Sequence, residues 1–398
     1  MSKKYGWMPT ENQELLLKSA LLTGNECIGA FEKWSSVADI DLLDGGSQRL
    51  LPLALHNLKK YGFKNLPQIK KMKSVSIKTW YKNTLILNEL SKILKKFNSE
   101  GIKTMVLKGI PITTSYYPNI SLRPMGDFDI LVPWKKSEAA GKILFSEGWE
   151  LKTRAYYPVF HDSFKVTKNS YGFRRSGLEC DLHWSIFKHT CYPGADSDLW
   201  ERAEKIDIKG EKTLKLSPED QLIHILEHGA YWSNPSSVRW VADAFLLLNN
   251  EKNLNWDYII HKLGEKYLYP MMSGMFEYLN GSFDLKLPDN FINRLNSIPV
   301  NSIGKKLQNY TKVPRSEFVW RISNYFKEFL VFRIFLKDHK GYDKKNIVHL
   351  FIKFLFFRWE VKNPLLFPIM FFKRSIAKLS RYVKRKILRI NYSGLFKK

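Results

Sequence analysis

The chain has 398 residues, 44% of them hydrophobic, with 64 lysines and arginines against 38 aspartates and glutamates, for a net charge of +26. That length and apolar content exclude a disordered chain and fit two or three packed domains, while the surplus of cations points to an anionic partner. Cys27, Cys180 and Cys191 are too scattered for a disulfide framework or a zinc knuckle; residues 1–7 carry no apolar signal core, so the expected compartment is the cytoplasm.

Residues 1–100 read as a helical region. Pro9-Thr10-Glu11 is a helix start, residues 15–22 carry one apolar face, and residues 80–97 carry another through Leu85, Leu87, Leu90, Ile93 and Leu94. Residues 101–215 read as a mixed sheet. A short buried strand over 103–107 ends in Lys108-Gly109, a helix is expected over 110–116, and an apolar strand follows that holds Asp127 and Asp129. The next helix spans 135–147 and stops at Gly148. Alternating runs over 149–167 and 171–184 predict further strands, the second carrying Asp181 and His183 on one face. Ser217-Pro218-Glu219-Asp220 then opens a helical domain over 216–340.

Half of the net positive charge falls after residue 340, among apolar clusters such as residues 350–357 and 365–372. None reaches the roughly 18 apolar residues of a spanning helix. The tail, residues 341–398, therefore suits either a helix folded on its own domain or a peripheral contact with an anionic membrane surface on the cytoplasmic side. Nucleic acid is the less favoured partner for it.

The chemistry concentrates in residues 105–133. Side chains at Asp127 and Asp129 project to one side of their strand, where two carboxylates repel unless a cation lies between them. A hard divalent ion such as Mg²⁺ suits oxygen ligands of this kind. Lys108 and Gly109, at the start of a helix, offer a cation and free backbone N–H groups to phosphate. Arg123 offers a planar fork to phosphate or to Asp127.

Leu107-Lys108-Gly109, Tyr117-Pro118, Leu122-Arg123-Pro124, the run Gly126 to Pro133, Asp181-Leu182-His183-Trp184 and Arg239-Trp240 with Asp243 resemble an uncharacterised bacterial nucleotidyltransferase family of the DNA polymerase β-like superfamily. The resemblance implies an α+β catalytic core with a mixed sheet, flanked by helical regions. It also implies a metal site of Asp127, Asp129 and Asp181 binding Mg²⁺ or Mn²⁺, and a nucleoside triphosphate as donor. Lys108, Gly109, Arg123 and His183 would serve nucleotide binding, although Lys108-Gly109 stands where many members carry Gly-Ser. The acceptor hydroxyl is open between peptide, protein, sugar and small molecule, with a link to bacterial biosynthetic clusters. A silent nucleotide-binding scaffold on a membrane and an RNA end-modifying enzyme remain alternatives.

His224-Ile-Leu-Glu227-His228 spells an inverted zinc-protease motif, but zinc would also need a third protein ligand in the right place, and nothing else in the chain resembles such a protease. Its side chains are expected to line a cleft or pack in the helical domain. Trp232, Arg239, Trp240 and Asp243 are candidates for a base-stacking surface and a buried ion pair.

Overall fold

The computed structural model describes residues 6–63, 67–153, 155, 158–188, 191–231, 238–265, 269–300, 302, 305–306, 329, 332, 347–359 and 363. The fold is α+β. The N-terminal helices are α1 (Glu11–Leu21), α2 (Gly24–Val37), α3 (Gly45–Gln48), α4 (Leu51–Leu58) and α5 (Pro67–Ser99). Strand β1 (Met105–Leu107), α6 (Gly109–Tyr116), β2 (Phe128–Leu131), α7 (Ser137–Ser146), β3 (Glu150–Leu151), α8 (Asp162–Lys165), β4 (Ser170–Arg175), β5 (Leu178–His183), α9 (Ser197–Glu201), β6 (Glu204–Ile208) and β7 (Glu211–Lys215) follow. Helices α10 (Pro218–Tyr231), α11 (Arg239–Asn250), α12 (Trp256–Glu265), α13 (Tyr269–Phe283), α14 (Phe291–Asn296) and α15 (Ile347–Trp359) complete the chain.

Local chemistry sets the element boundaries. Thr10 caps α1 in a reciprocal box, with Gln13 Oε1 accepting from the Thr10 N–H at 2.9 Å. The seven strands form one sheet in the order β3-β4-β5-β2-β1-β7-β6. The pairs β2–β5 and β1–β7 are parallel and the others antiparallel. Two hairpins, β4–β5 and β6–β7, close through the pairs Ser176-Gly177 and Lys209-Gly210, in which both residues have positive φ. Such paired positive φ values match the right-handed twist of the strands and fix their register. The β6–β7 hairpin has a sequence signal, Ile206, Ile208, Thr213 and Leu214 flanking Lys209-Gly210, that the strand expectations above did not include.

One strand expectation fails. Within residues 149–167 only Glu150–Leu151 is strand, and Asp162–Lys165 is a helical turn. Pro158 lacks the N–H a ladder needs, and the apolar residues here bury singly, Val159 and Phe164, without a paired partner strand.

The chain divides into two compact units, one of residues 1–152, 170–186 and 193–314, the other of residues 153–169, 187–192 and 315–398. In the first, α5 lays Ile86, Leu90, Ile93, Leu94 and Phe97 into the core, and Phe128 meets Trp149 edge to face at 5.6 Å. In the second, Phe332, Phe354 and Leu355 form a small core with Val166, Tyr192, Phe329 and Phe351 packed against it. The described part of the basic tail thus buries one side of α15, and Arg358 donates to the Thr167 carbonyl. The remaining tail residues lie outside the described ones. Among the described residues no helix is long and apolar enough to cross a membrane.

Helices α10 and α11 cross at Gly229. A Cβ there would sit 2.5 Å from Trp240 Cγ and 2.6 Å from its Cβ, so only glycine permits the crossing. Gly229→Ala should destabilise the protein by about 1–3 kcal/mol through overpacking, read as a lower midpoint in chemical denaturation; an unchanged midpoint would show that the helices have room to separate.

Candidate active site

The site grows from the junction of β1 and α6. Lys108 occupies it with φ 55° and ψ −114°, a backbone state that L-residues adopt at a cost of about 1–3 kcal/mol. Antiparallel pairing places Leu107 opposite Asp129, so the next side chain, Lys108, reaches across and its Nζ contacts Asp129 Oδ1. A Cβ on Gly109 would lie 2.9 Å from Arg123 Nη1 and 3.2 Å from Met125 Sδ. The absence of a side chain there lets the loop after α6 approach the helix start.

Parallel pairing of β2 with β5 sets Asp129 opposite Asp181. Asp181 and His183 are two apart on β5, and ligand atoms of Asp129, Asp181 and His183 all lie within 4.8 Å of one another. Among the described residues this is the one cluster with metal-ligating convergence. His183 is buried, and its Nε2 hydrogen-bonds Asp129 Oδ1 at 2.9 Å. Gly172 faces Asp181 across the β4–β5 pair, and a Cβ there would come within 3.1 Å of Asp181 Oδ1. Asp127 stands just before β2, outside that cluster, and lines the same cleft as Lys108 and Asp129.

The charges show which partner wins. Burial would push the Asp129 carboxyl up, but Lys108 and His183 hold it well below the usual carboxylate range. For Asp127, burial followed by the charges of Asp129 and Asp181 outweighs the pull of Lys108 and Lys152 and raises its carboxyl. Burial acts to lower the Lys108 ammonium, yet Asp129 outweighs it and raises the group. The cluster is thus an acidic site whose nearest counter-charge is Lys108, with Lys152 acting on Asp127 and Asp181.

Arg123 takes Asp243 as its partner, not Asp127. Its Nε donates to Asp243 Oδ1 at 2.8 Å and its Nη2 to Oδ2 at 2.7 Å, while Tyr117 donates to Oδ1 at 2.7 Å. This bidentate pair ties the loop before β2 to α11. The same loop is held from below by Asn83 on α5, whose Nδ2 donates to the carbonyls of Ile120 (2.6 Å) and Arg123 (2.9 Å) and whose Oδ1 accepts from the Met125 N–H at 3.2 Å. Asn83 sits in an apolar helix face where sequence offered no warning beyond a polar residue among leucines. Arg239 donates from Nη1 to the Pro124 carbonyl at 2.6 Å. The buried pair expected of Asp243 is therefore made with Arg123.

The opposite wall of the cleft is α10. Gln221, His224, Ile225 and His228 line it with Arg239 and Trp240 of α11. The His-x-x-Glu-His spelling thus contributes cleft lining, not a metal cluster among the described residues. Trp240 packs edge to face on Trp7 at 6.0 Å and donates its Nε1–H to the Trp7 carbonyl, a core role; Trp232 lies outside the described residues.

A family model of uncharacterised nucleotidyltransferases matches residues 46–280, more than half the chain, and spans both acidic strands and α10–α11. The chain belongs to this nucleotidyltransferase family. No curated protein matches it. Among solved structures it is similar to an antigenic nucleotidyltransferase-like protein from Paracoccidioides brasiliensis, at 14% identity and a TM-score of 0.35, over 52% of this chain and 95% of that one. As a nucleotidyltransferase the protein is a transferase that acts on a nucleotide, and its candidate metal ligands are those at the β2–β5 register.

Arg123→Ala would leave the Asp243 carboxylate buried without its partner, and should cost about 3–5 kcal/mol. Burial raises the Asp243 carboxyl but Arg123 more than offsets this, leaving it lowered. The pair's contribution is then complete above the unfolded carboxylate value of about 3.9 and lost as pH falls below it. Acid denaturation of the wild type should therefore show a loss of stability below about pH 4 that Arg123→Ala largely lacks; parallel pH profiles for the two proteins would sink the assignment.

Proposed function

We propose that this nucleotidyltransferase moves a nucleotidyl group from a nucleoside triphosphate to a hydroxyl acceptor, with a divalent ion held by Asp129 and Asp181 and with Asp127 beside them. The observation that carries this reading is the convergence of Asp129, Asp181 and His183 within 4.8 Å beside a lysine at a strand–helix junction. The donor set fits a hard cation. Two carboxylates at the register point and a third on the cleft lining concentrate negative charge, offset among the described residues by Lys108 and, more weakly, by Lys152. Mg²⁺, or Mn²⁺, would supply Lewis acidity at the phosphate oxygens when bound there.

The chain's own groups would do the rest. The acceptor oxygen forms a bond to the α-phosphorus, the α–β bridging bond breaks, and pyrophosphate departs. Asp181 is only half-buried, opposite Gly172, and would accept the acceptor's proton. His183 fixes the rotamer of Asp129 through its Nε2 bond. Lys108, the Gly109 N–H at the start of α6, and the Nη1 of Arg123 that faces Gly109 would orient phosphate oxygens. The acceptor class stays with peptide, protein, sugar or small-molecule hydroxyls.

Thermal unfolding with each nucleoside triphosphate, with and without Mg²⁺, tests the reading. One nucleotide with Mg²⁺ at 100 times its dissociation constant should stabilise the wild type by about 2.7 kcal/mol, and Asp129→Asn should abolish the shift while remaining folded. An equal shift in Asp129→Asn, or a shift indifferent to Mg²⁺, would overturn the proposal.

A further inference from the structure

The α10–α11 wall of the cleft carries polar groups for which the acidic site has no use. Gln221, His224 and His228 share one helix face at spacings of three, four and seven. Gln221 is 2% exposed, and among the described residues neither its Oε1 nor its Nε2 has a hydrogen-bond partner. A buried carboxamide in that state costs free energy comparable to lost hydrogen bonds, and in native proteins each such group calls for a cause. Its place on the cleft lining supplies one, because a ligand entering there would meet it.

The charge on this wall is positive. Two guanidiniums, Arg123 and Arg239, stand near a single carboxylate, Asp243, and Arg123 occupies both of its oxygens. Arg239 bonds only a backbone carbonyl through Nη1, and among the described residues no carboxylate forms an ion pair with it. Burial and then the neighbouring Arg123 pull its value down to about 10, so it stays a cation at neutral pH in surroundings that favour an added anion. The histidines do not add to that charge. Burial, then Lys108, pushes His224 down to about 3, and the same causes lower His228, which leaves neutral rings that can donate N–H bonds. The cleft's free volume of about 120 Å³ falls below the roughly 300–1,000 Å³ of sites that enclose a whole drug-sized ligand. It suits a compact anion better than a base with its sugar.

We infer that Arg239, Gln221 and His228 form a subsite for a pyrophosphate group, the β- and γ-phosphates of the donor before transfer and the free product after it. The inference rests on the nucleotidyl-transfer reading for its place in the reaction, but the anion site itself does not require transfer. Lys108 contacts Asp129 and lines the same cleft as His224, His228 and Arg239. A triphosphate chain running from the acidic strand towards Arg239 would meet one cation at each end of its diphosphate portion. Arg239 and Gln221 are thus positioning residues for the leaving group.

Titration calorimetry of the full chain with inorganic pyrophosphate, in chelator, isolates this subsite from the metal site. The wild type should bind. Arg239→Gln should weaken binding by about ten- to a hundredfold, as expected for loss of a charge-assisted bond, and Arg239→Lys by less. Gln221→Leu should weaken it several-fold while raising the unfolding temperature of the ligand-free protein, since it removes a buried unpaired amide; a merely structural glutamine would lower both or neither. No binding by the wild type, or equal binding by Gln221→Leu and either Arg239 variant, overturns the subsite. If those variants bind normally while nucleotide with Mg²⁺ still depends on Asp129, the subsite is wrong and the transfer reading stands. If pyrophosphate binding needs Arg239 but nucleotide binding ignores Asp129, the subsite stands and the transfer reading falls.

Discussion

A carboxylate on the central strand of a sheet must be compensated, and the site is arranged around the compensation of Asp129. It is 3% exposed and receives both the Lys108 ammonium and the His183 ring at the same oxygen. Three strands have to be in register for this to happen. The antiparallel pairing of β1 brings Leu107 level with Asp129 and so delivers Lys108. The parallel pairing of β5 brings Asp181 level with it and His183 one pleat further on. A slip of one residue in either strand would turn these side chains to the opposite face and leave a buried charge alone. The Ser176-Gly177 turn, with positive φ at both residues, locks the β4–β5 half of this register.

The second constraint is the loop between α6 and β2. It carries Arg123, Met125 and Asp127, and it is fastened from two sides by polar groups in otherwise apolar surroundings: Asn83 from α5 and Asp243 from α11. Buried polar pairs of this kind are weak contributors to net stability but strict about geometry, because breaking one partner is far more expensive than the pair is worth. That strictness keeps Asp127 on the cleft lining, where the charges of Asp129 and Asp181 and its burial outweigh the relief that Lys108 and Lys152 give. The strand side of the cleft therefore carries excess negative charge, and the α10–α11 side carries the guanidinium of Arg239. A metal–polyphosphate complex has the complementary distribution.

The apolar faces that placed α1 and the second half of α5 were legible because burial of one helix face leaves a period in the sequence, and α7 and α10 were legible from their stop and start signals. The acidic strand was legible for the opposite reason: Asp127 and Asp129 interrupt an apolar run, and residues that contradict their surroundings attract a chemical explanation. The fate of Arg123 was not. A guanidinium offers the same fork to phosphate, to Asp127 or to Asp243, and Asp243 lies 120 positions along the chain. The short strand at 150–151 and the turn at 162–165 were misread because alternating apolar residues can bury without pairing, and pairing depends on a partner strand that local sequence does not reveal.

The sequence by itself determined the family and the α+β class, through the resemblance that its motifs carry, and the acidic strand and the Lys-Gly junction, through short-range pattern. Tertiary structure alone decided that Lys108 answers Asp129, that Arg123 belongs to Asp243, that Gly172 and Gly229 are gaps needed by Asp181 and Trp240, and that Gln221 faces the cleft without a partner. These are statements about which distant residues meet, and strand register and helix crossing set them. Chain spacing carries no record of either.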